Sequence, residues 1–318
     1  MKFFYWNPNE QDLTRFILSS PIHGVFLNYH IQNFLYGDTF TNINIIKDKV
    51  SLIAAYGKKT ALSITWGASC GTTFYNQFPY IELTEKHHEG TLNSTPVFNK
   101  FPVFYEADYI VKVDSFLQWL AVGLQPVINH IDHIKIGGIN QTTFELRCPN
   151  QDFKYTDAVS EAYEEGAEKW LDNGYTTYKV GDAYESIITS HREHFPNTLK
   201  IASLIGGKNG WPCINDNGFI CEPKDRPNIT DRIINYCKAY PNIGIQATAL
   251  TEAAGTPKNF VDSGLPMYYQ LDALHFNKSV NKEKFEGAVL NALRHNGKYI
   301  EVFKKNVQEH SDIILKYV

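Results

Sequence analysis

The sequence predicts an α/β fold: a (β/α)8 TIM barrel, a single domain over residues 1–318 with a long loop after the third strand. Three observations predict it. Eight short apolar segments recur along the chain, and amphipathic helical patterns separate them. A length of 318 residues suits one such barrel, and no tandem repeat, low-complexity tract or linker divides it. The rival, a doubly wound open sheet, calls for a glycine-rich phosphate loop after an early strand, and neither GxGxxG nor GxxxxGKS/T occurs.

The strand segments are, in order, "FFYW" (3–6), "GVFLNY" (24–29), "ALSITW" (61–66), "HIKIGG" (133–138), "LKIASLI" (199–205), "IGIQATA" (243–249), "PMYYQL" (266–271) and "KYIEVF" (298–303). After strand 2, Ile46, Val50, Ile53 and Ala54 recur at helical spacing, and Gly57 stands where a glycine ends a helix. Before strand 4, Ile110, Val113, Phe116, Leu117 and Leu120 form an apolar stripe with Asp108 as its expected N-cap. Residues 156–195 hold two helical stretches broken at "DNGY". Further helices are expected over 229–240, 282–295 and 304–317, whereas the segment between strands 6 and 7 has room only for a short one.

Composition narrows the function classes. Apolar residues make up 43% and aromatics 14%, enough for a large core with rings to spare for a cleft. The net charge is −4 and no basic stripe occurs, so no nucleic-acid partner is expected. Apolar runs fall well short of the roughly 18 residues that span a bilayer, so no membrane partner is expected and the chain reads as soluble. The N-terminal "MKFFYWNPNEQ" lacks the apolar stretch of a leader, so either the cytoplasm or secretion after removal of a leader is compatible. Cys70, Cys148, Cys213, Cys221 and Cys237 form no CxxC pair; free thiols are expected, although Cys213 and Cys221 are close enough in sequence to bridge.

In this fold the chemistry sits at the C-terminal strand ends. Those ends carry Trp6, Tyr29, His30, Trp66, Asn140 and Glu145, then Gln246, Glu252, Gln270, Asp272 and Glu301. Aromatic planes, amides and carboxylates together suit a carbohydrate ligand, whose ring faces stack while its hydroxyls bond amides and acids. Few lysines, arginines or glycines occur there, which disfavours a phosphate site. Glu145, between Phe144 and Leu146, is a candidate general acid whose apolar neighbours would raise its pKa. Glu301, inside the apolar run "YIEVF", must point either into the barrel mouth or out to the helices, and the mouth solvates it at less cost. Two carboxyl groups across a mouth can cleave a glycosidic bond. Tyr29, His30, Trp66, Asn140, Gln246, Gln270 and Asp272 are the expected sugar-binding set. The pairs His87/His88 and His130/His133 are expected to be structural, so neither metal nor organic cofactor is implied. The loop over 67–107 is rich in aromatics and is expected either to serve the site or to pack as a lid.

The order "GVFLNYH…FTNINIIKDKVSLIAAYGKKTALSITWG", then "FLQWLAVGLQPVINHIDHIKIGGINQTTFELR", resembles glycoside hydrolase-like TIM barrels. In particular it resembles a bacterial group related to retaining glycosidases of the β-galactosidase and cellulase type, over roughly residues 1–303. The resemblance implies an acid/base Glu after an Asn at the end of strand 4 and a nucleophilic Glu at the end of strand 7. Here Asn140 matches the Asn, but Gln141 and Gln270 stand at the two acidic positions. Glu145 and Glu301 therefore rest on the strand-end argument alone. The alternative expectation is a barrel that binds carbohydrate or protein and has lost the nucleophile.

Overall fold

The eight expected strands close into one parallel barrel. The computed structural model describes residues 1–7, 13–67, 74, 76–85, 97–138, 146, 148, 152–153, 162–163, 166–204, 211–222, 225, 227–272 and 281–318. The barrel strands are β1 (Lys2–Asn7), β2 (Gly24–His30), β3 (Lys59–Thr65), β4 (Ile131–Ile136), β5 (Leu199–Leu204), β6 (Ile243–Leu250), β7 (Met267–Leu271) and β8 (Gly297–Val302). They run round the ring in chain order, β8 returns to β1, and neighbouring strands are parallel. Closure removes the two unpaired edges that an open sheet would leave.

The helical layer follows from apolar stripes that need a partner. The described helices are α1 (Arg15–Ser19), α2 (Asn44–Ala55), α3 (Ala107–Leu124), α4 (Gly166–Asp172), α5 (Thr177–His194), α6 (Ile229–Lys238), α7 (Lys258–Val261), α8 (Lys282–Arg294), α9 (Lys304–Glu309) and α10 (Ser311–Tyr317). Helix α2 buries Ile46, Val50 and Ile53, and Gly57 follows it in the left-handed region at φ +70°, where an L side chain would be strained. Thr176, Asn228 and Asn281 cap α5, α6 and α8 by accepting from the backbone N–H of Lys179, Asp231 and Glu283. Asp108 is not the cap of α3. Glu106 holds that position without a side-chain bond, and Asp108 lies in the first turn, where its charge favours the helix dipole.

Two connections matter for the site. The loop after β3 carries an antiparallel hairpin, Tyr80–Glu85 against Val97–Pro102, with Ile81, Leu83 and Phe101 buried. The rings of Phe74 and Phe78 pack on Tyr109 of α3, so these two aromatics of the loop serve its packing. Between β6 and β7 the helix shrinks to the four residues of α7. The thin shell there leaves an outer cavity of about 490 Å³, lined in part by Leu204, Ala247, Pro257, Asn291 and His295. Cys148, Cys213, Cys221 and Cys237 are not disulfide-bonded, and Cys70 lies outside the described residues.

The sheet separates two cores. Odd-numbered residues of β2, such as Val25, Leu27 and Tyr29, face the helices, while Phe26 and Asn28 face the lumen, as the period of two demands. On the helix side His191 of α5 is wholly buried and hydrogen-bonded through Nδ1 to the Ile187 carbonyl (2.7 Å). Burial pushes its pKa down from 6.5 to about 4. A neutral buried histidine stabilises the fold above pH 6.5. That contribution is lost as pH falls towards about 4, because only the unfolded chain takes up the proton in this window. We expect unfolding free energy to drop by about 3 kcal/mol across this window, and His191→Leu to flatten that arm of the curve. Urea titrations at stepped pH measure it, and an unchanged slope in the variant would refute the assignment.

Candidate functional site

The lumen is aromatic at its N-terminal end and polar above. Phe4, His133, Tyr268 and Tyr299 fill the lower end, with the His133 ring stacked on Tyr299 at 4.7 Å and Tyr268 at the same distance from it. Asp132 holds His133 through Nδ1 (3.0 Å) and Lys2 through Nζ (2.8 Å). Burial raises the Asp132 pKa, but the hydrogen bond and charge of His133, followed by those of Lys2, outweigh it and leave the pKa well below the usual carboxylate range. His133 is thus a structural group at the end of the barrel away from the expected chemistry, and His130 lies exposed in the turn before β4. Among the described residues no cluster of three potential metal ligands occurs.

Two residues above the aromatic plug, an ion pair crosses the barrel. Lys135 Nζ of β4 stands 2.5 Å from Glu301 Oε1 of β8, and both side chains have 0% exposure. The two strands are four places apart in an eight-membered ring, so they face each other across the full diameter. Lys135 Nζ also lies 4.1 Å from the centroid of the Phe26 ring, a cation–π contact that partly replaces lost hydration. Tyr299 stands two residues before Glu301 on the same strand face; burial first, then the Glu301 charge, pushes its phenol pKa well up.

Around this pair the lumen is lined by buried polar atoms. Trp6 Nε1, Asn28 Oδ1, Ser63 Oγ, Ser203 Oγ and both amide atoms of Gln246 have no hydrogen-bond partner among the described residues. Each lies two residues beyond a member of the lumen cluster or a lumen-facing glycine: Phe4, Phe26, Ala61, Ile201 and Gly244. Register places Ser63 beside both Asn28 and Lys135, Ser203 beside Gln246, and Gln270 beside Glu301. Native proteins satisfy nearly all buried polar groups, with water or ligand where protein does not reach. These six buried atoms therefore form a polar layer inside the lumen, level with the Lys135–Glu301 pair.

The expected site residues divide by strand face. Glu301, Gln246 and Gln270 come together in the lumen. His30 joins them at the rim, half-buried, with Nδ1 2.6 Å from Thr65 Oγ1 and its pKa lowered by burial. Tyr29 and Trp66 do not join them, which corrects the expected subsite. Tyr29 packs on Phe34, and Trp66 is enclosed between Phe116 and His191 on the helix side. Glu252 packs against Gly287 of α8, and Asp272 is half-buried with its backbone N–H donated to the Leu250 carbonyl (3.0 Å). Asn140 and Glu145 lie outside the described residues.

The sequence reading missed Lys135, Asn28, Ser63 and Ser203. Their signal was present: in "HIDHIKI" and "GVFLNYH" a polar residue falls on the same alternate face as a lumen residue, His133 or Phe26. The first of the two glycines after β4, Gly137, also gains a reason. A Cβ on Gly137 would lie 2.0 Å from the Ile64 carbonyl oxygen and 2.8 Å from the Trp66 ring, and the Trp66 indole N–H donates to the Gly137 carbonyl.

Comparison with known proteins fits the architecture. No protein-family model and no curated protein sequence matches the chain. Among solved structures, the catalytic domain of a β-amylase from Paenibacillus polymyxa is similar with a TM-score of 0.65 at 12% identity, covering 98% of this chain and 94% of that one. A β-galactosidase from a Rahnella species gives a TM-score of 0.52 at 10% identity, over 95% of this chain and 50% of that one. An old yellow enzyme homologue from Zymomonas mobilis gives a TM-score of 0.52 at 8% identity, over 96% and 85%. At such identities the likeness establishes the barrel fold and nothing finer.

Proposed function

We propose that the barrel mouth binds a carbohydrate and cleaves a glycosidic bond, with Glu145 and Glu301 as the two carboxyl groups. The observation that carries the reading is the set of buried donors and acceptors around Glu301, a pattern that ring hydroxyls satisfy. The β-amylase and β-galactosidase among the structural neighbours are consistent with it. Gln246, Gln270, His30 and Asn140 are the proposed hydroxyl-binding groups. In the proposed reaction Glu145 donates its proton to the leaving oxygen as the glycosidic C–O bond breaks. Glu301 attacks the sugar carbon or takes a proton from the attacking water. Leu146, the residue after Glu145, donates its N–H to the Ser203 carbonyl (2.8 Å) at the end of β5.

The test is hydrolysis of a panel of 4-nitrophenyl glycosides. Glu145→Gln and Glu301→Gln are each expected to lower turnover by about 10²-fold or more. Wild-type turnover in both variants on a glycoside that is cleaved would overturn the assignment. A second reading, a barrel that binds carbohydrate without cleaving it, is favoured by the enclosure of Glu301 with Lys135 and by Gln270 beside it. It expects calorimetric sugar binding with no release of nitrophenol from any member of the panel.

A further inference from the structure

We infer that Cys213 and Cys221 form a redox-switchable clip across the hairpin that follows β5, closed by a small-molecule disulfide such as oxidised glutathione. The inference does not depend on the carbohydrate reading. Two observations carry it: the register of the hairpin and the unequal burial of the two cysteines.

The register brings the cysteines opposite each other. Ile214 and Ile220 pair as an antiparallel bridge. On one side of it the Asn215 N–H donates to the Phe219 carbonyl (2.8 Å), and on the other the Cys221 N–H donates to the Cys213 carbonyl (2.9 Å). Cys213 and Cys221 are therefore the next opposite pair, and opposite residues of an antiparallel ladder turn their side chains to the same face. A backbone-bonded pair holds its Cα atoms roughly 5.5 Å apart, inside the range of about 4.4–6.8 Å that a disulfide spans.

The hairpin holds this geometry before any oxidation. At its tip Gly218 takes the left-handed φ of +79°, and Asn215 Oδ1 accepts from the N–H groups of Asn217 (3.0 Å) and Phe219 (3.1 Å). Its incoming arm is pinned to the helical layer. Trp211 Nε1 donates to Thr230 Oγ1 of α6 (2.9 Å), and Thr177 Oγ1 of α5 donates to Asp216 Oδ1 (2.7 Å). A bridge would tie the outgoing arm to this anchored one, at the end of the barrel where strand-end loops carry function.

Burial assigns the roles. Cys221 is half-buried, whereas Cys213 is 1% exposed. Cys221, as its thiolate, attacks one sulfur of oxidised glutathione; the S–S bond breaks, one glutathione leaves as a thiol, and Cys221 is left in a mixed disulfide. Cys213, once deprotonated, attacks the Cys221 sulfur and expels the second glutathione. The cysteines lose two electrons and two protons, and the two departing glutathione thiols carry them away.

The experiment incubates the folded full chain with oxidised glutathione, quenches it with iodoacetamide in denaturant and digests it with trypsin. Residues 209–224, "NGWPCINDNGFICEPK", carry both cysteines on one tryptic peptide. In the wild type that peptide is expected to be about 2 Da lighter than its reduced form, unalkylated and without bound glutathione. Cys213→Ser is expected to keep glutathione on Cys221. Cys221→Ser is expected to take glutathione up on this peptide about ten-fold or more slowly than Cys213→Ser, because its remaining thiol is buried. A wild-type peptide that retains glutathione or two alkylated thiols, a cross-link that forms only in urea, or uptake in Cys221→Ser as fast as in Cys213→Ser would overturn the inference. The wild-type peptide decides the clip by itself, and Cys213→Ala replaces Cys213→Ser if serine does not fold at this buried place.

Discussion

Lys135→Met is expected to destabilise the protein by about 3–5 kcal/mol, since removing one partner leaves a buried, uncompensated charge. Both side chains of the pair have 0% exposure, so the charge left behind would be poorly solvated. Glu301→Leu is expected to destabilise as well, because it removes the carboxylate that pairs with Lys135 in the lumen. The double variant Lys135→Met/Glu301→Leu should cost far less than the sum, because it removes both desolvation penalties and leaves apolar groups over Phe26. Guanidinium unfolding of the four proteins closes the cycle. Additive losses would show that the two groups do not act as a pair.

Trp66→Ala is expected to cost about 3–5 kcal/mol of stability, the range for deleting a large buried aromatic, and to leave sugar affinity unchanged. The indole is wholly buried, donates from Nε1 to the Gly137 carbonyl (3.2 Å) and lies against Phe116 and His191. The Trp66 carbonyl accepts from the Tyr109 hydroxyl (3.0 Å), so this residue joins β3 to both β4 and α3. A stacking platform in a sugar subsite would behave in the opposite way, with affinity lost and stability kept. Unfolding and calorimetry on the same variant separate the two roles.

Much of the fold was legible because its signals are local. Each barrel strand is a short apolar or aromatic run, and α2, α3 and α5 show apolar stripes that need only their own helical repeat to be read. The cap of α3 is not legible from Asp108, because aspartate suits both an N-cap and the first turn, and Asp108 takes the first turn while Glu106 holds the cap position. The site was less legible. Taking the last residues of each strand collects both faces of the sheet, so Tyr29 and Trp66, which face the helices, were grouped with His30 and Gln246, which face the lumen.

The sequence by itself determined the barrel class, the place and order of its eight strands, and the presence of an acid in an apolar stretch at Glu301. Only the tertiary structure decided what holds that acid. Lys135 reads as one cation inside an apolar run until ring closure sets β4 opposite β8 and brings its Nζ to Glu301. The physical reason is that hydrophobic periodicity acts over a few residues and repeats along the chain. A contact across a closed ring depends instead on the tilt, stagger and register of all eight strands together.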